Sequence, residues 1–327
     1  MTGNSFHIAI VSDIHYAAAA ERARCARHEQ WQRVKNPAAR TAGRLFHYFI
    51  WLRHHGAHNH RLDQFLQAVG QPDAVIANGD FANDTHSLGV SDAATFASAA
   101  ECLGRLRHAF AGKFFATLGD HDLGKSGMFA SPGITSLASW QRAVDGLRLE
   151  PFWRVQLGNY VLLGVTSSLI ALPVFQSDLL ANEIGAWEQL RNQHLQSIRA
   201  AFARLQPDER VLLFCHDPTA LPFLGREPLI QAKLAQVEQT IIGHLHSHLI
   251  LRTSRVLAGM PTISFLGNGV KRLSAALGQA RRWQPFHVRL CPSLTGIQLL
   301  KDGGYLTAEL DAHARRPARF EFHHLPW

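Results

Sequence analysis

The sequence predicts a layered α/β domain, and three observations carry that reading. Five short apolar runs, at residues 6–11, 74–77, 114–118, 211–215 and 240–242, each lead to an aspartate or a histidine. Longer stretches between them, at 92–110 and 183–205, place apolar residues near three- and four-residue intervals. Gly, Pro or Asp bound the runs. Short, bounded apolar runs read as buried strands, and the three-to-four spacing reads as helices with one packed face.

The first run leads to Asp13, followed by an unusually long connection at 17–62. The run at 74–77 leads to Asp80. After it, Ser91 is the expected N-cap of the helix 92–110, with Asp92 in its first turn. The run at 114–118 leads to Asp120, and a hairpin is expected over 153–168, turning at Gly158-Asn159. Beyond the helix 183–205, the last two runs lead to His216 and His244. Residues 281–327 form a tail with strands expected at 286–290, 296–300 and 305–310. Open α/β sheets bind ligands beyond the carboxyl ends of their strands, where loops converge. Five strands delivering Asp or His to one edge therefore predict a site rather than packing.

Composition narrows the chemistry. Formal charge is +8 and the isoelectric point near 9.7, which favours an anionic partner: a phosphate-bearing substrate, an acidic lipid surface or nucleic acid. The 20 histidines raise the expectation of metal or acid–base chemistry. Cys25, Cys102, Cys215 and Cys291 form no C-x-x-C pair, which argues against a disulfide scaffold or a cysteine zinc site. No export signal is legible, and no apolar run approaches the ~20 residues that span a bilayer. A cytoplasmic protein is expected, with peripheral attachment to the inner membrane surface as an option.

Asp13-x-His15 alone means little, since about one D-x-H arises by chance among 14 Asp and 20 His, and Asp311-x-His313 is such a decoy. Its company changes the reading. Gly79-Asp80, Gly119-Asp120-His121-Asp122, His216-Asp217 and Gly243-His244-Leu245-His246 follow in order, each after an apolar run. Glycines allow the backbone to turn sharply and pass close to an ion. Carboxylates and imidazoles without thiolate suit Mn²⁺ first, with Fe or Zn²⁺ as alternatives.

The order D-x-H, G-D, G-N-H-[DE], H, G-H-x-H resembles the calcineurin-like metallophosphoesterase superfamily, and the motifs span Asp13 to His246. That resemblance implies a four-layer α/β/β/α sandwich, here with a basic cap-like insertion at 17–62 in a single domain. It implies two divalent cations, the first on Asp13, His15, Asp80 and His246, the second on Asp80, Asp120, His216 and His244, with Asp80 bridging. A hydroxide shared by the pair would attack phosphorus, while His121 would protonate the leaving oxygen and Asp122 would fix the orientation of His121. The chain departs from the pattern at Asp120, where the family has Asn. The extra carboxylate is expected to ligate, tightening metal binding while weakening the Lewis acid.

Neighbouring residues have plainer readings. Asn83 and Asp84 fit a loop cap. His248 would share a strand face with His244 and His246, Asp217 would orient His216, and Cys215 would be buried filler.

The connection at 17–62 holds nine Lys/Arg against two acids, so most of the net charge lies there. Within it, the apolar and aromatic stretch 45–52 lies between Arg44 and Arg53. It reads either as a core helix or as a peripheral membrane or lipid contact. Its layout is similar to that of UDP-2,3-diacylglucosamine pyrophosphatases, lipid-precursor hydrolases that commonly carry Arg where this chain has His121. A phosphodiesterase or pyrophosphatase ranks first, a metal-dependent nuclease second and a non-catalytic scaffold last. Against the nuclease, charge clusters in one insert rather than along an aromatic-studded groove. Against the scaffold, every ligand position holds a competent donor.

Overall fold

The structure is a computed structural model that describes residues 5–32, 34, 36–125, 135–263 and 268–327. Arg33 and Lys35 of the basic insert lie outside these. The strands, in chain order, are β1 (Ser5–Val11), β2 (Ala74–Asn78), β3 (Phe114–Thr117), β4 (Phe152–Leu157), β5 (Tyr160–Val165), β6 (Arg210–Cys215), β7 (Val237–Ile242), β8 (Val288–Leu290), β9 (Gly304–Asp311) and β10 (Arg319–His324). They form two five-stranded sheets, ordered β10-β9-β1-β2-β3 and β4-β5-β6-β7-β8. β1, β2 and β3 run parallel, with Ile8 opposite Ala74 and Val75 opposite Phe114. β9 and β10 extend that sheet antiparallel. In the second sheet β5 to β8 run parallel, and β4 joins β5 through the expected hairpin at Gly158-Asn159.

Side-chain alternation builds the layers. Ile8, Ile10, Ala74 and Ile76 point from the first sheet toward Tyr160, Leu162, Leu212 and Phe214 of the second. Their neighbours Ala9, Val11, Val75 and Ala77 point the other way, onto Leu62 and Phe65 and onto Ala99, Cys102, Leu103 and Leu106. These belong to the helices His60–Ala68 and Ala93–Ala109. On the far side, Val161, Leu163, Val211 and Leu213 meet Leu195, Ile198 and Phe202 of the helix Ile184–Ala203. Helix, sheet, sheet, helix is the four-layer order that the family resemblance implies. Sheets covered on both faces need strands apolar on both faces, which is why the runs read as continuous rather than alternating. Each fully buried Ile, Leu or Phe in these layers contributes about 1.5–3 kcal/mol.

Two expectations need correction, and one strand is unexpected. Residues 296–300 form no strand: Gly296 has φ of +74°, and the Asp302 carboxylate accepts a hydrogen bond from Ile297 N, so the segment turns. Asp92, not Ser91, caps its helix, its carboxylate accepting from Ala94 N and Thr95 N. β10 is unforeseen; its Arg319–His324 stretch alternates polar Arg319, Glu321 and His323 with Phe320 and Phe322, which pack against the core between the sheets. The four cysteines are buried and free. No helix among the described residues is long and apolar enough to cross a membrane.

Candidate metal centre

The parallel strands of both sheets end at one edge. Residues just past β1, β2, β3, β6 and β7 supply Asp13 and His15, Asp80, Asp120, His216, and His244 with His246. Five of these seven, Asp13, His15, Asp80, His244 and His246, have φ between +48° and +59°. Non-glycine residues rarely adopt that region, and clusters of them mark sites where conformation is held for function.

The side chains gather into two groups. Asp13, His15 and His246 form one, and Asp80, Asp120, His216 and His244 the other; within each group the potential ligand atoms lie within 4.8 Å of one another. His246 Nε2 is 3.2 Å from Asp13 Oδ1 and 3.4 Å from His15 Nε2. Asp120 Oδ1 faces both His216 Nε2 at 3.0 Å and His244 Nδ1 at 3.1 Å. The groups adjoin, since His216 Nε2 is 3.1 Å from Asp80 Oδ2 and 3.9 Å from Asp13 Oδ1. Asp80 Oδ2 is buried and, with His216 Nε2 3.1 Å away but no hydrogen bond formed, keeps acceptor capacity that a cation would satisfy. The donors are hard oxygens and imidazole nitrogens, so the residues fit divalent metal ions.

Electrostatics agree. Burial alone would raise the Asp13 and Asp120 carboxyls, yet both are held below the usual range. Around Asp13 the imidazoles of His246 and His216 outweigh burial; around Asp120 His244 and Lys125 do. Burial opposes charge on His216, but the Asp80 and Asp13 carboxylates push its pKa well above the ordinary value. A cluster so rich in carboxylate attracts positive charge, whether a proton or a metal ion.

Surrounding groups hold the donors in place. His216 Nδ1 lies 2.6 Å from the carbonyl oxygen of Asn78, which fixes the ring so that Nε2 faces the carboxylates. Ser12 Oγ donates to Asp13 Oδ2 at 2.6 Å. A Cβ on Gly119 would collide with the Asp80 carboxylate, and one on Gly243 with Ser12 Oγ and Asp13, so both positions need glycine.

His121 sits beside the first group, its ring edge-on to His15 with centroids 5.4 Å apart. Burial lowers its pKa, but Asp80, Asp120 and Asp84 raise it further, so the net shift is upward. Asp122 does not orient this ring. Its carboxylate accepts from Gly119 N at 2.9 Å, Phe81 N at 3.2 Å and Asp80 N at 3.3 Å, while His121 Nδ1 has no hydrogen-bond partner. Three backbone donors are a stronger demand than one imidazole, so Asp122 ties the β2 and β3 loops together.

Asp217 does not orient His216 either. It accepts from Lys125 Nζ at 3.0 Å and Thr219 N at 2.8 Å. His248 shares no strand face with His244 and His246. The left-handed backbone at those two residues breaks any alternation, and His248 begins the helix His248–Val256, its ring against Phe322. Asp84 accepts from Leu88 N and Gly89 N, as a loop cap should.

Two residues went unnoticed in the sequence. Lys125 Nζ lies 2.8 Å from Asp120 Oδ2, the oxygen turned away from the imidazoles. The signal was available: an aspartate in place of a neutral ligand calls for a counter-charge, and Lys125 is five residues on. Trp51, from the insert, sets its ring 4.9 Å from that of His246. No spacing rule links those two.

The family model for calcineurin-like phosphoesterases matches residues 6–248, and the chain belongs to that family. No curated protein matches the sequence significantly. Among solved structures, the chain is similar to a dimetal phosphatase from Danio rerio at 12% identity and a TM-score of 0.46, covering 97% of this chain and 95% of that one. It is also similar to phosphopantetheinyl hydrolase from Mycobacterium tuberculosis at 15% identity and a TM-score of 0.38, covering 75% of this chain and 84% of that one. A purple acid phosphatase from yellow lupin (Lupinus luteus) seeds follows at 11% identity and a TM-score of 0.34, covering 74% and 38%.

Proposed function

We propose that the protein hydrolyses a phosphodiester or pyrophosphate bond. In this reading Asp13, His15, Asp80 and His246 hold one divalent cation and Asp80, Asp120, His216 and His244 the other. The adjoining of two oxygen–nitrogen ligand groups, linked through His216 and with Asp80 Oδ2 buried without a hydrogen bond, is the observation that supports it most. Manganese is the first choice for both positions, with iron or zinc as alternatives. Two cations so held would polarise a phosphoryl oxygen and make a bound water acidic near neutral pH.

The chain's own groups divide the remaining work. Asp80, Asp120 and Asp13 supply the negative charge that retains the cations. Asn78, through its carbonyl oxygen, keeps Nε2 of His216 directed inward. His121 carries a proton favoured by three surrounding carboxylates and delivers it to the departing oxygen. Asp122 is a positioning residue, holding the two loops that present Asp80 and Asp120. Lys125 offsets the second oxygen of Asp120, so the ligand acts more nearly as the neutral amide the family has at that position.

The test is hydrolysis of bis-p-nitrophenyl phosphate by purified protein with Mn²⁺, Fe²⁺ or Zn²⁺, followed by a panel of cyclic nucleotides, nucleotide-sugar lipids, phosphomonoesters and nucleic acid. Metal-dependent turnover of small diesters that is abolished by Asp80→Ala is expected. Turnover of nucleic acid alone would favour a nuclease, and no turnover with any metal would leave a scaffold.

A further inference from the structure

Leu45, Tyr48, Phe49 and Ile50, at the end of the helix Pro37–Phe49, are all exposed, Phe49 to 61%. Beside them stand Leu299, 62% exposed, and Leu300. Hydrogen bonds join the two segments into one face: Leu299 N donates to Ile50 O at 3.1 Å, Gln298 N to Trp51 O at 2.7 Å, and Arg53 N to Gln298 Oε1 at 2.8 Å. These six residues are nearly half of the thirteen large apolar side chains exposed among the described residues. So dense a patch of exposed hydrocarbon marks a surface that is covered in use.

The charges around it indicate by what. Arg44, Arg53 and Lys301 are exposed at its margin, and the Arg53 guanidinium lies 4.1 Å from the Tyr48 ring centroid. The one acid in the same segments, Asp302, is partly buried and accepts from Ile297 N. Three other basic residues of the insert are engaged elsewhere: Arg24 pairs with Asp92, Arg40 donates to Val34 O, and Arg61 is buried. A second copy packed on this face through a twofold axis would bring like charges together. A bilayer with anionic headgroups would accept the apolar side chains in its acyl boundary and the three cations above it.

We propose that this face, formed by residues 45–50 and 299–300, docks the protein on an anionic lipid bilayer. Ile50 adjoins Trp51, whose ring touches His246, so the docked protein presents its metal centre beside the headgroup layer. Docking itself is independent of the hydrolytic reading. The consequence that substrates are phosphoesters of amphiphiles, cut at headgroup level, rests on it.

The experiment is co-sedimentation of the full chain with vesicles of phosphatidylcholine alone and with about one quarter phosphatidylglycerol, at low and moderate salt. Binding is expected on the anionic vesicles, weakened but not abolished by salt. It should fall about tenfold or more in the Phe49→Ser, Leu299→Ser double variant, whose side chains are exposed and outside the metal centre. Hydrolysis of soluble bis-p-nitrophenyl phosphate should be unchanged in that variant. Absence of binding at either salt, or equal binding by the double variant, overturns the proposal. So does a wild-type dimer that the double variant dissociates, which would assign the face to a second copy. Wild-type protein that docks yet hydrolyses no diester would leave docking standing and sink the hydrolytic reading alone.

Discussion

Partly buried Lys125 pairs with buried Asp120, its ammonium taking Oδ2 at 2.8 Å and leaving Oδ1 to the imidazoles of His216 and His244. Asp217 shares the same ammonium at 3.0 Å. Removing one member of such a group strands the others in low dielectric, at a cost of about 3–5 kcal/mol. Lys125→Met should therefore lower the unfolding free energy of the metal-free protein by about 3 kcal/mol. Adding Asp120→Asn should restore part of that loss, a coupling of at least about 1 kcal/mol by denaturant titration. Additive effects would mean that the pair does not matter.

In the proposed reading His121 donates a proton and does not hold a cation. His121→Ala should keep the metal content of the wild type while lowering kcat by about 10²–10⁴. The loss should be greater for a poor leaving group than for p-nitrophenolate, which departs without help. Equal losses on both substrates, measured with metal analysis of the same samples, would point to a purely structural role.

Gly243 lies against Ser12 Oγ and the Asp13 carboxylate, with no room for a Cβ. Gly243→Ala should displace Asp13, whose carboxylate also accepts from His244 N at 3.1 Å, and so weaken metal retention. Dialysis against chelator followed by metal analysis should show loss at a lower chelator concentration than in the wild type. Gly185→Ala, where a Cβ meets nothing, is the control.

His194 provides a pH signature remote from the metals. Burial pushes its pKa from 6.5 down to about 3, and its Nε2 accepts from Thr166 N at 3.0 Å. The folded state thus prefers the neutral ring. Its contribution is complete above the unfolded value and is lost as pH falls from about 6.5 toward about 3. Thermal melts across that range should show a steeper decline for the wild type than for His194→Gln, which keeps an acceptor without titrating. Parallel curves would contradict this.

Much of this molecule is legible from its sequence because the strands are covered on both faces and the candidate ligands follow their ends. The runs leading to Asp13, Asp80, Asp120, His216 and His244 could be read one at a time. What escaped reading depends on contacts between distant segments. Asp122 serves three backbone donors, a choice made by how the β2 and β3 loops pack. Residues 296–300 look like a strand until Gly296 and Asp302 turn them against the insert. The insert itself mixes buried side chains, such as Trp31 and Leu52, with exposed ones at Leu45 and Phe49, and composition does not sort the two.

The most direct measurement is anomalous diffraction from crystals of the protein equilibrated with Mn²⁺. Two peaks are expected in each chain, one among Asp13, His15 and His246 and one among Asp80, Asp120, His216 and His244, with Asp80 touching both. No bound manganese at these side chains, or ions held only elsewhere on the surface, would contradict the dimetal assignment.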